Sequence, residues 1–271
     1  MPTTPTSPAI NLSGKTLAER LAHAEEQVRA GAADPQRRVY LFQLLCVLAQ
    51  WDRAVAQLQV CAQLDPSATA MAQTYREVIR CEKRRERVFA GRAQPAFLGE
   101  GPDWAIALGK ALGYAASGDA DAAAVLRQEA LNDAPEVAGE ADGKSFTWIA
   151  DGDSRLGPIC EVFANGRYVW VPFDRIARIA FDAPQDLRDL VWASGSLLLR
   201  DGTTHAALFP ARYPGSGASG DDAAAASRLT RWDEVTPGCW TGVGQKMWVT
   251  DEHELSALDC RSLVLGEDAA T

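Results

Sequence analysis

The strongest folding signal in the chain lies at residues 161–172, EVFANGRYVWVP, where two short apolar runs flank the dipeptide Asn165-Gly166. Asn-Gly favours the two-residue turn between antiparallel strands, because both turn positions must adopt positive φ. A second pair of runs, LLLR and TTHAALF, flanks Asp201-Gly202 in the same way. Similar short runs, rich in β-branched and aromatic residues, continue from Phe146 onward, so the second half of the chain is predicted to consist mainly of strands.

The first half of the chain follows a different periodicity. From Leu17 to about Asn132, apolar residues recur three and four positions apart, as in Leu41, Leu44 and Leu45. This spacing places them on one face of a helix, so the first half is predicted to be helical.

The stretch between the two halves, PEVAGEADG at residues 135–143, is small, polar and acidic and fits neither periodicity. Such a stretch is typical of a boundary between domains. The predicted fold class is therefore α+β, with a helical domain followed by a mainly β domain. The predicted order is a disordered tail at 1–16, a helical domain at 17–134, a linker at 135–144 and a β-rich α+β domain at 145–271.

The helical half contains two imperfect copies of a helix-turn-helix pattern of about 34 residues, closing at Pro66 and Pro135. Small residues are needed where two antiparallel helices cross closely, and both copies supply them. These positions, with the aromatic and glycine positions of the second copy, are Ala54, Cys61, Tyr114, Gly118, Ala123 and Ala130. The pattern predicts tetratricopeptide-like helical hairpins, separated by one long helix over residues 68–90.

Composition excludes several classes of function. The 271 residues include 27 Lys and Arg against 36 Asp and Glu, and the resulting net charge of −9 disfavours binding to nucleic acid or anionic lipid. No window offers the roughly 18 uncharged apolar residues of a membrane span, and we expect neither membrane insertion nor a signal peptide. Six irregularly spaced cysteines and three scattered histidines predict reduced cytosolic thiols, and neither a metal site nor a bound cofactor is expected.

The densest polar segment is DGDSRLGP at residues 151–158, a tight turn with two carboxylates and an arginine. Two interpretations stay open for Asp151, Asp153, Arg155 and the distant Arg212. In one, an Asp–Arg pair only fixes the turn. In the other, these residues meet in a pocket and form the site of a small-molecule enzyme. Residues 212–226, rich in Gly, Ala and Asp, are predicted to form a long surface loop.

The order of motifs along the chain resembles the ImpE/TagJ (SciE-type) family, whose members are accessory components of bacterial type VI secretion systems. In the first half the resemblance rests on RVYLFQLLC at 38–46, WDRA at 51–54, Tyr75-Arg76, Cys81-Glu82, Arg85, VFAG at 88–91 and LGE at 98–100. In the second half it rests on FTWIAD at 146–151, RLGP at 155–158, NGRY at 165–168, WVPF at 170–173, DLRDLVW at 186–192, RYP at 212–214 and GVGQK at 242–246. The resemblance covers residues from about Leu17 to Leu265, and Gln245-Lys246 stands where the family is expected to have Gln-Arg.

The resemblance implies an accessory protein of the bacterial cytoplasm without enzymatic activity. Its implied partners are the small subunit of the contractile sheath and, directly or indirectly, the AAA+ unfoldase that disassembles the sheath. A helical-repeat surface is suited to gripping an amphipathic helix through apolar anchors. The candidate partner-binding residues are Leu41, Leu45, Tyr75, Arg76, Arg85 and Tyr114. Two alternatives remain, a general peptide-binding cochaperone and the small-molecule enzyme described above.

Overall fold

The computed structural model describes Leu12 and residues 14–266, so most of the predicted tail at 1–16 lies outside the described residues. Helices fill the first half of this part of the chain, and strands with one short helix follow. The helices are α1 Leu17–Ala30, α2 Pro35–Val47, α3 Trp51–Leu64, α4 Thr69–Phe89, α5 Asp103–Ala116, α6 Ala120–Asp133 and α7 Asp222–Ala225. None of these helices is long and apolar enough to span a bilayer.

Local capping explains where α1, α2 and α6 begin. At α1 the Thr16 hydroxyl accepts from the Glu19 amide while the Glu19 carboxylate accepts from the Thr16 amide, a capping box. Asp34 caps α2, whose first residue is Pro35, and the fixed φ of proline suits the first helical position. Asp119 caps α6 by accepting from the Ala122 amide.

The helix pairs α2–α3 and α5–α6 occupy the two positions where the sequence predicts hairpins. Ala54 and Cys61 of α3 are fully buried, and Ala123 and Ala130 of α6 are 2% exposed, as close helix crossing requires. The long helix predicted over 68–90 is α4, at Thr69–Phe89. The helical first half is therefore confirmed, and tetratricopeptide-like remains our interpretation of its two hairpins.

The strands form one large sheet and two small ones. Their bounds are β1 Ala96–Phe97, β2 Gly139–Ala141, β3 Lys144–Phe146, β4 Ile149–Asp151, β5 Ile159–Ala164, β6 Arg167–Pro172, β7 Ile176–Phe181, β8 Trp192–Leu199, β9 Thr204–Pro210, β10 Thr230–Thr236, β11 Cys239–Gly244, β12 Met247–Thr250, β13 Glu254–Ser256 and β14 Ser262–Leu265. The large sheet has nine strands in the order β1-β6-β5-β9-β8-β7-β14-β2-β3. Strand β1 is parallel to β6, and the other neighbours are antiparallel. The small sheets are β10-β11 and β13-β12-β4.

Both hairpin predictions are confirmed. Ala164 pairs with Arg167 across the turn between β5 and β6, and Asn165 and Gly166 have φ values of 53° and 67°. Two consecutive positive φ values define the turn that Asn-Gly favours. Strands β8 and β9 pair around the second turn, where Gly202 has φ 84°.

The predicted linker at 135–144 is wrong in its central part. Residues 139–141 are strand β2 of the large sheet, and β3 begins at Lys144. The Asp142-Gly143 turn joins the two strands, with φ values of 48° and 82°. Gly139 is required at the close approach to β14, because a Cβ there would lie 2.4 Å from the Val264 carbonyl oxygen. Gly139 and the buried Ala141, which looked like linker residues, are therefore small because the sheet packs tightly around them.

The helices pack on the large sheet through one continuous apolar core. Aromatic contacts cross the boundary between the halves: the ring centroids of Trp51 and Trp192 lie 5.8 Å apart, and those of Phe89 and Trp170 lie 6.4 Å apart. The predicted surface loop at 212–226 is exposed at residues 218–220, but Tyr213, Ser216 and residues 224–226 are buried. The prediction is therefore wrong for both ends of the segment, where Arg212 bonds to the end of α2 and Ala225 and Ala226 join the core.

We expect Gly244→Ala to lower the free energy of unfolding by about 3 kcal/mol or more, because its φ of +103° disfavours a side chain and its Cβ would lie 2.0 Å from the Leu229 carbonyl oxygen. Gly202→Ala is the matched control, with positive φ but no atom within 4 Å of a Cβ, and should cost about 1 kcal/mol. Urea unfolding of both variants measures the difference. Equal losses would show that the backbone near Gly244 can relax.

Candidate functional site: a buried charge cluster and two open grooves

The aspartate turn is held together by its own side chains. The Asp151 carboxylate accepts from the Asp153 amide at 2.9 Å, and the Asp153 carboxylate accepts from the Arg155 amide at 3.0 Å and from Arg155 Nε at 2.8 Å. Asp153 also accepts from the Gly242 amide at 3.2 Å, which ties the turn to β11. The structural interpretation of the turn therefore accounts for both carboxylates.

Lys246 links this turn to the large sheet. Its ammonium lies 2.6 Å from Asp151 Oδ2 and 2.8 Å from Glu161 Oε2, and its side chain is 3% exposed. The ammonium also lies 4.8 Å from the centre of the Tyr213 ring, a cation–π contact. A single buried cation thus joins β4, β5 and the segment before β12.

Arg85 of α4 joins the helices to the same cluster. Its guanidinium donates to both oxygens of Glu161, at 2.7 and 2.9 Å, and to Glu82 at 2.9 Å. It also donates to the Arg212 carbonyl oxygen at 3.0 Å. The other Glu82 oxygen, Oε2, accepts from Trp192 Nε1 at 2.9 Å. A guanidinium can bind a carboxylate in this forked way because its donors are planar and parallel.

Arg212 fastens the 212–226 segment to the end of α2. Its guanidinium donates to the carbonyl oxygens of Cys46, at 2.9 Å, of Val47, at 2.5 Å, and of Ala225. The carboxyl end of a helix has unpaired carbonyls and a partial negative charge, so it is a favourable place for a buried cation. Burial lowers the pKa of Arg212 to about 10, so the guanidinium is still charged at neutral pH.

The cluster has equal numbers of acidic and basic side chains, but its carboxylates differ in pKa. It contains four acidic and four basic side chains: Glu82, Asp151, Asp153 and Glu161, with Arg85, Arg155, Arg212 and Lys246. Burial alone would raise the pKa of Glu161, but Arg85 and Lys246 outweigh it and hold that pKa well below its ordinary value. Burial raises the pKa of Asp151 from 3.8 to about 6, because Lys246 offsets only part of the desolvation. Asp151 is therefore the carboxylate of this pair that protonates first.

The structure separates the predicted site residues into two groups. Asp151, Asp153 and Arg155 lie together in the turn, whereas the guanidinium of Arg212 bonds to three carbonyl oxygens and, among the described residues, to no carboxylate. The expected pocket of these carboxylates and both arginines therefore does not form. Among the candidate partner-binding residues, burial removes Leu41 and Leu45, in the apolar core, and Arg85, in the charge cluster, from direct contact with a partner. Tyr75 is half-buried, and Arg76 and Tyr114 are exposed.

Sequence analysis missed three members of the cluster, Glu82, Glu161 and Lys246. A signal was present for Glu161, which stands in the apolar strand ICEVFA, where a lone charge implies a buried partner. The partner itself could not be found from sequence, because Arg85 lies on α4, distant in the chain.

Burial of its side chains restricts the chemistry that the cluster can perform. The side chains of Asp151, Asp153 and Glu161 are 0% exposed, and those of Arg85 and Lys246 are 2% and 3% exposed. Within residues 14–266, no group of His, Cys, Asp and Glu could hold a metal ion. The arrangement joins the helices, the sheet and the aspartate turn.

Two open grooves flank this closed centre. The first, which we call the α4 groove, has a volume of about 500 Å³ and lies between α4 and strands β5, β8 and β9. It is lined by Thr74, Tyr75, Glu77, Val78, Cys81, Phe163, Asn165, Gly166, Asp182, Ser194, Gly195, Ala206, Ala207 and Leu208. The second, the α5–α6 groove, has a volume of about 240 Å³ and lies between α5, α6 and the tip of the β10–β11 hairpin.

The fold and site thus define an α+β protein with a closed polar centre and open, partly apolar grooves. The family model described as ImpE protein matches residues 143–264. Over 248 residues the chain is 44% identical to the type VI secretion system accessory component TagJ of Pseudomonas aeruginosa strain PAO1, covering 91% of this chain and 86% of that protein. The chain therefore belongs to the ImpE/TagJ family, and the resemblance drawn from its motifs is confirmed.

A solved structure supports the fold. The crystal structure of protein VPA1032 from Vibrio parahaemolyticus is similar to this chain with a TM-score of 0.85 at 25% identity, covering 94% of this chain and 95% of that one. The α+β class and the order of a helical region followed by a strand-rich region are confirmed.

We expect Arg85→Met to lower the free energy of unfolding by about 3–5 kcal/mol, because it leaves two buried carboxylates without their main cation. Arg84→Met is the matched control, since the neighbouring Arg84 is exposed and donates to the Gln94 carbonyl oxygen at 2.8 Å. The control should change stability by less than about 0.5 kcal/mol. Similar melting temperatures for both variants would contradict a structural role for the cluster.

The raised pKa of Asp151 predicts a pH-dependent stability with a definite sign. Between pH 3.8 and about 6 the folded protein binds more protons at Asp151 than the unfolded chain, so its contribution to stability falls as pH rises. Asp151→Asn removes the titrating carboxyl group and, with it, this loss of stability at higher pH. The free energy of unfolding of the variant, minus that of the wild type, should therefore rise by about 2–3 kcal/mol from pH 4 to pH 7.

The control for this experiment is Asp251→Asn, because hydrogen bonds from Thr147 hold the pKa of Asp251 below its ordinary value. The stability difference between that variant and the wild type should change with pH in the opposite direction. Urea unfolding at four pH values measures both differences. A parallel pH profile for Asp151→Asn and the wild type would show that Asp151 does not titrate in this range.

Proposed function

We propose that the chain is a non-enzymatic accessory protein of a type VI secretion system, working in the bacterial cytoplasm and binding the small subunit of the contractile sheath. Family membership supports the pathway, since the Pseudomonas relative is an accessory component of that system. The charge cluster supports the non-enzymatic role, because Arg85, Asp151, Glu161 and Lys246 bond to one another or to neighbouring groups and have almost no exposed surface. The open surface to which we assign binding is the α4 groove.

The observation that carries the proposal is the α4 groove. Val78, Phe163, Ala207 and Leu208 supply an apolar lining, and Tyr75 lies at its side. The tyrosine is held in place by Phe42, with ring centroids 5.6 Å apart, and by Arg188, 4.6 Å from its ring centre. A preformed apolar groove beside a rigid aromatic side chain suits the apolar face of a short amphipathic helix.

The two carboxylates that line the α4 groove already have partners, one charged and one neutral. Glu77 forms an ion pair with Arg80, and Asp182 accepts from the Ser194 hydroxyl at 2.9 Å. Apolar anchors should therefore dominate binding of the sheath helix, and salt should change it little. A single helix buries less area than a standard interface, so we expect a Kd of about 1 μM, or roughly −8 kcal/mol.

The link to the AAA+ unfoldase is part of the same proposal. A protein that holds the small sheath subunit is positioned to assist sheath recycling, through direct or indirect contact with the unfoldase. The alternative of a general peptide-binding cochaperone predicts no preference for sheath sequences. Comparing each sheath peptide with a scrambled peptide of equal helicity and hydrophobicity separates the two.

We expect Thr74→Arg to weaken binding of a sheath-subunit peptide by at least tenfold, because a large side chain at this exposed lining position fills the α4 groove. Gln73→Arg is the matched control, adding the same side chain to the adjacent exposed position, which does not line the groove. Calorimetry with the full chain and peptides that tile the small sheath subunit measures the effect. Absence of binding by every peptide, or equal binding by both variants, would contradict the proposal.

A further inference from the structure

The α5–α6 groove has walls of different kinds. Helices α5 and α6 supply Leu108, Ala111, Leu112, Ala115, Ala120, Ala123 and Arg127, while the opposite wall consists of Arg155 and the hairpin residues Val235, Thr236 and Cys239. Val235 is 59% exposed although it is apolar and faces this groove. An exposed branched side chain beside an apolar groove marks a surface that another molecule can cover.

The helical wall is built from small residues. Four of its seven lining positions are alanine, and Ala115 and Ala120 are exposed at the open side. Small side chains allow another backbone to approach closely, and a helix offers a surface without unpaired backbone groups. The geometry of this wall therefore favours a helical occupant.

The charge of the groove is positive. Among the described residues, the charged ones that line it are Arg127 and Arg155, and none of its lining residues is a carboxylate. Arg155 is already bound by Asp153, at 2.5 and 2.8 Å. Arg127 is half-buried and makes no hydrogen bond or ion pair with any of the residues that the structure describes. In a chain of net charge −9, this unpaired guanidinium leaves a local site that is complementary to a carboxylate.

We propose that the α5–α6 groove is a docking site for an acidic amphipathic helix of a partner protein. The apolar face of that helix packs on the alanine-rich wall and Val235, and one of its carboxylates pairs with Arg127. This site is separate from the α4 groove, whose charged lining residues, Glu77 and Asp182, are acidic. The inference therefore goes beyond binding of the sheath subunit and does not depend on it.

Three labelled peptides of about 16 residues test the proposal by fluorescence polarisation with the full chain. The first carries Leu at positions i, i+3, i+4 and i+7 with Glu beside them. The second replaces each Glu by Lys. The third is the Glu peptide with a central proline, which prevents a continuous helix. We expect the Glu peptide to bind at least tenfold more tightly than the other two, and high salt should reduce the difference.

Variants locate the binding to this groove. Arg127→Glu should weaken binding of the Glu peptide by at least tenfold and make the Lys peptide the tighter ligand. Ala115→Trp should block both peptides, whereas the matched control Ala116→Trp, on the same helix but outside the lining, should bind as the wild type does. Circular dichroism before each titration establishes that the variants are folded.

Thr74→Arg separates this proposal from the sheath-binding proposal, since it should leave the Glu peptide unaffected. Equal binding of the Glu and Lys peptides, tight binding of the proline peptide, or unchanged binding by Arg127→Glu would overturn the inference. If the full chain binds the Glu peptide but no sheath peptide, that result would instead contradict the proposed function.

Discussion

The forked ion pair between Arg85 and Glu161 is the interaction on which the rest of the structure depends. Arg85 lies on α4 and Glu161 on β5, so the pair connects the helical half to the large sheet at a point where both side chains are closed to water. A buried guanidinium is tolerated only when its donors are satisfied, which fixes α4 relative to β5 within hydrogen-bonding distance. Lys246 and Glu82 extend this constraint to the aspartate turn and to Trp192. Apolar packing makes the two halves adhere, and the charges determine how they are oriented.

Local chemistry explains which parts of the fold could be predicted from sequence. The Asn165-Gly166 and Asp201-Gly202 turns, the long helix α4 and the two helical hairpins depend on neighbouring residues, so short-range patterns identified them. The strands at 139–141 and 144–146 were missed because three residues are too few for an alternation to be visible, although Asp142-Gly143 was a turn signal. The 212–226 segment was misjudged because the contacts of Arg212 with Cys46 and Val47 come from distant parts of the chain.

The candidate site, like the fold, could be predicted from sequence only where it depends on neighbouring residues. The aspartate turn could be recognised because its carboxylates and Arg155 are two residues apart, whereas the pairing of Glu161 with Arg85 and Lys246 exists only in three dimensions. Burial was the harder property to foresee, as Leu41, Leu45 and Arg85 show. Their place on a regular helix does not reveal that the rest of the fold buries them. Around the closed centre, the two grooves differ in the sign of their charged lining residues and so offer chemically different surfaces.

The order of the large sheet has a consequence for how the protein is made. Strand β14 lies between β7 and β2, and Leu263 pairs with Ala141 across about 120 residues of intervening chain. During synthesis, β2 and β3 leave the ribosome long before β14 and have no partner strand in the large sheet except each other. Two short strands alone are marginally stable in water, so this hairpin stays unanchored while residues up to 262 are added. The sheet is therefore completed only after β14 has been synthesised, and the loop-closure entropy of this long-range pairing slows folding.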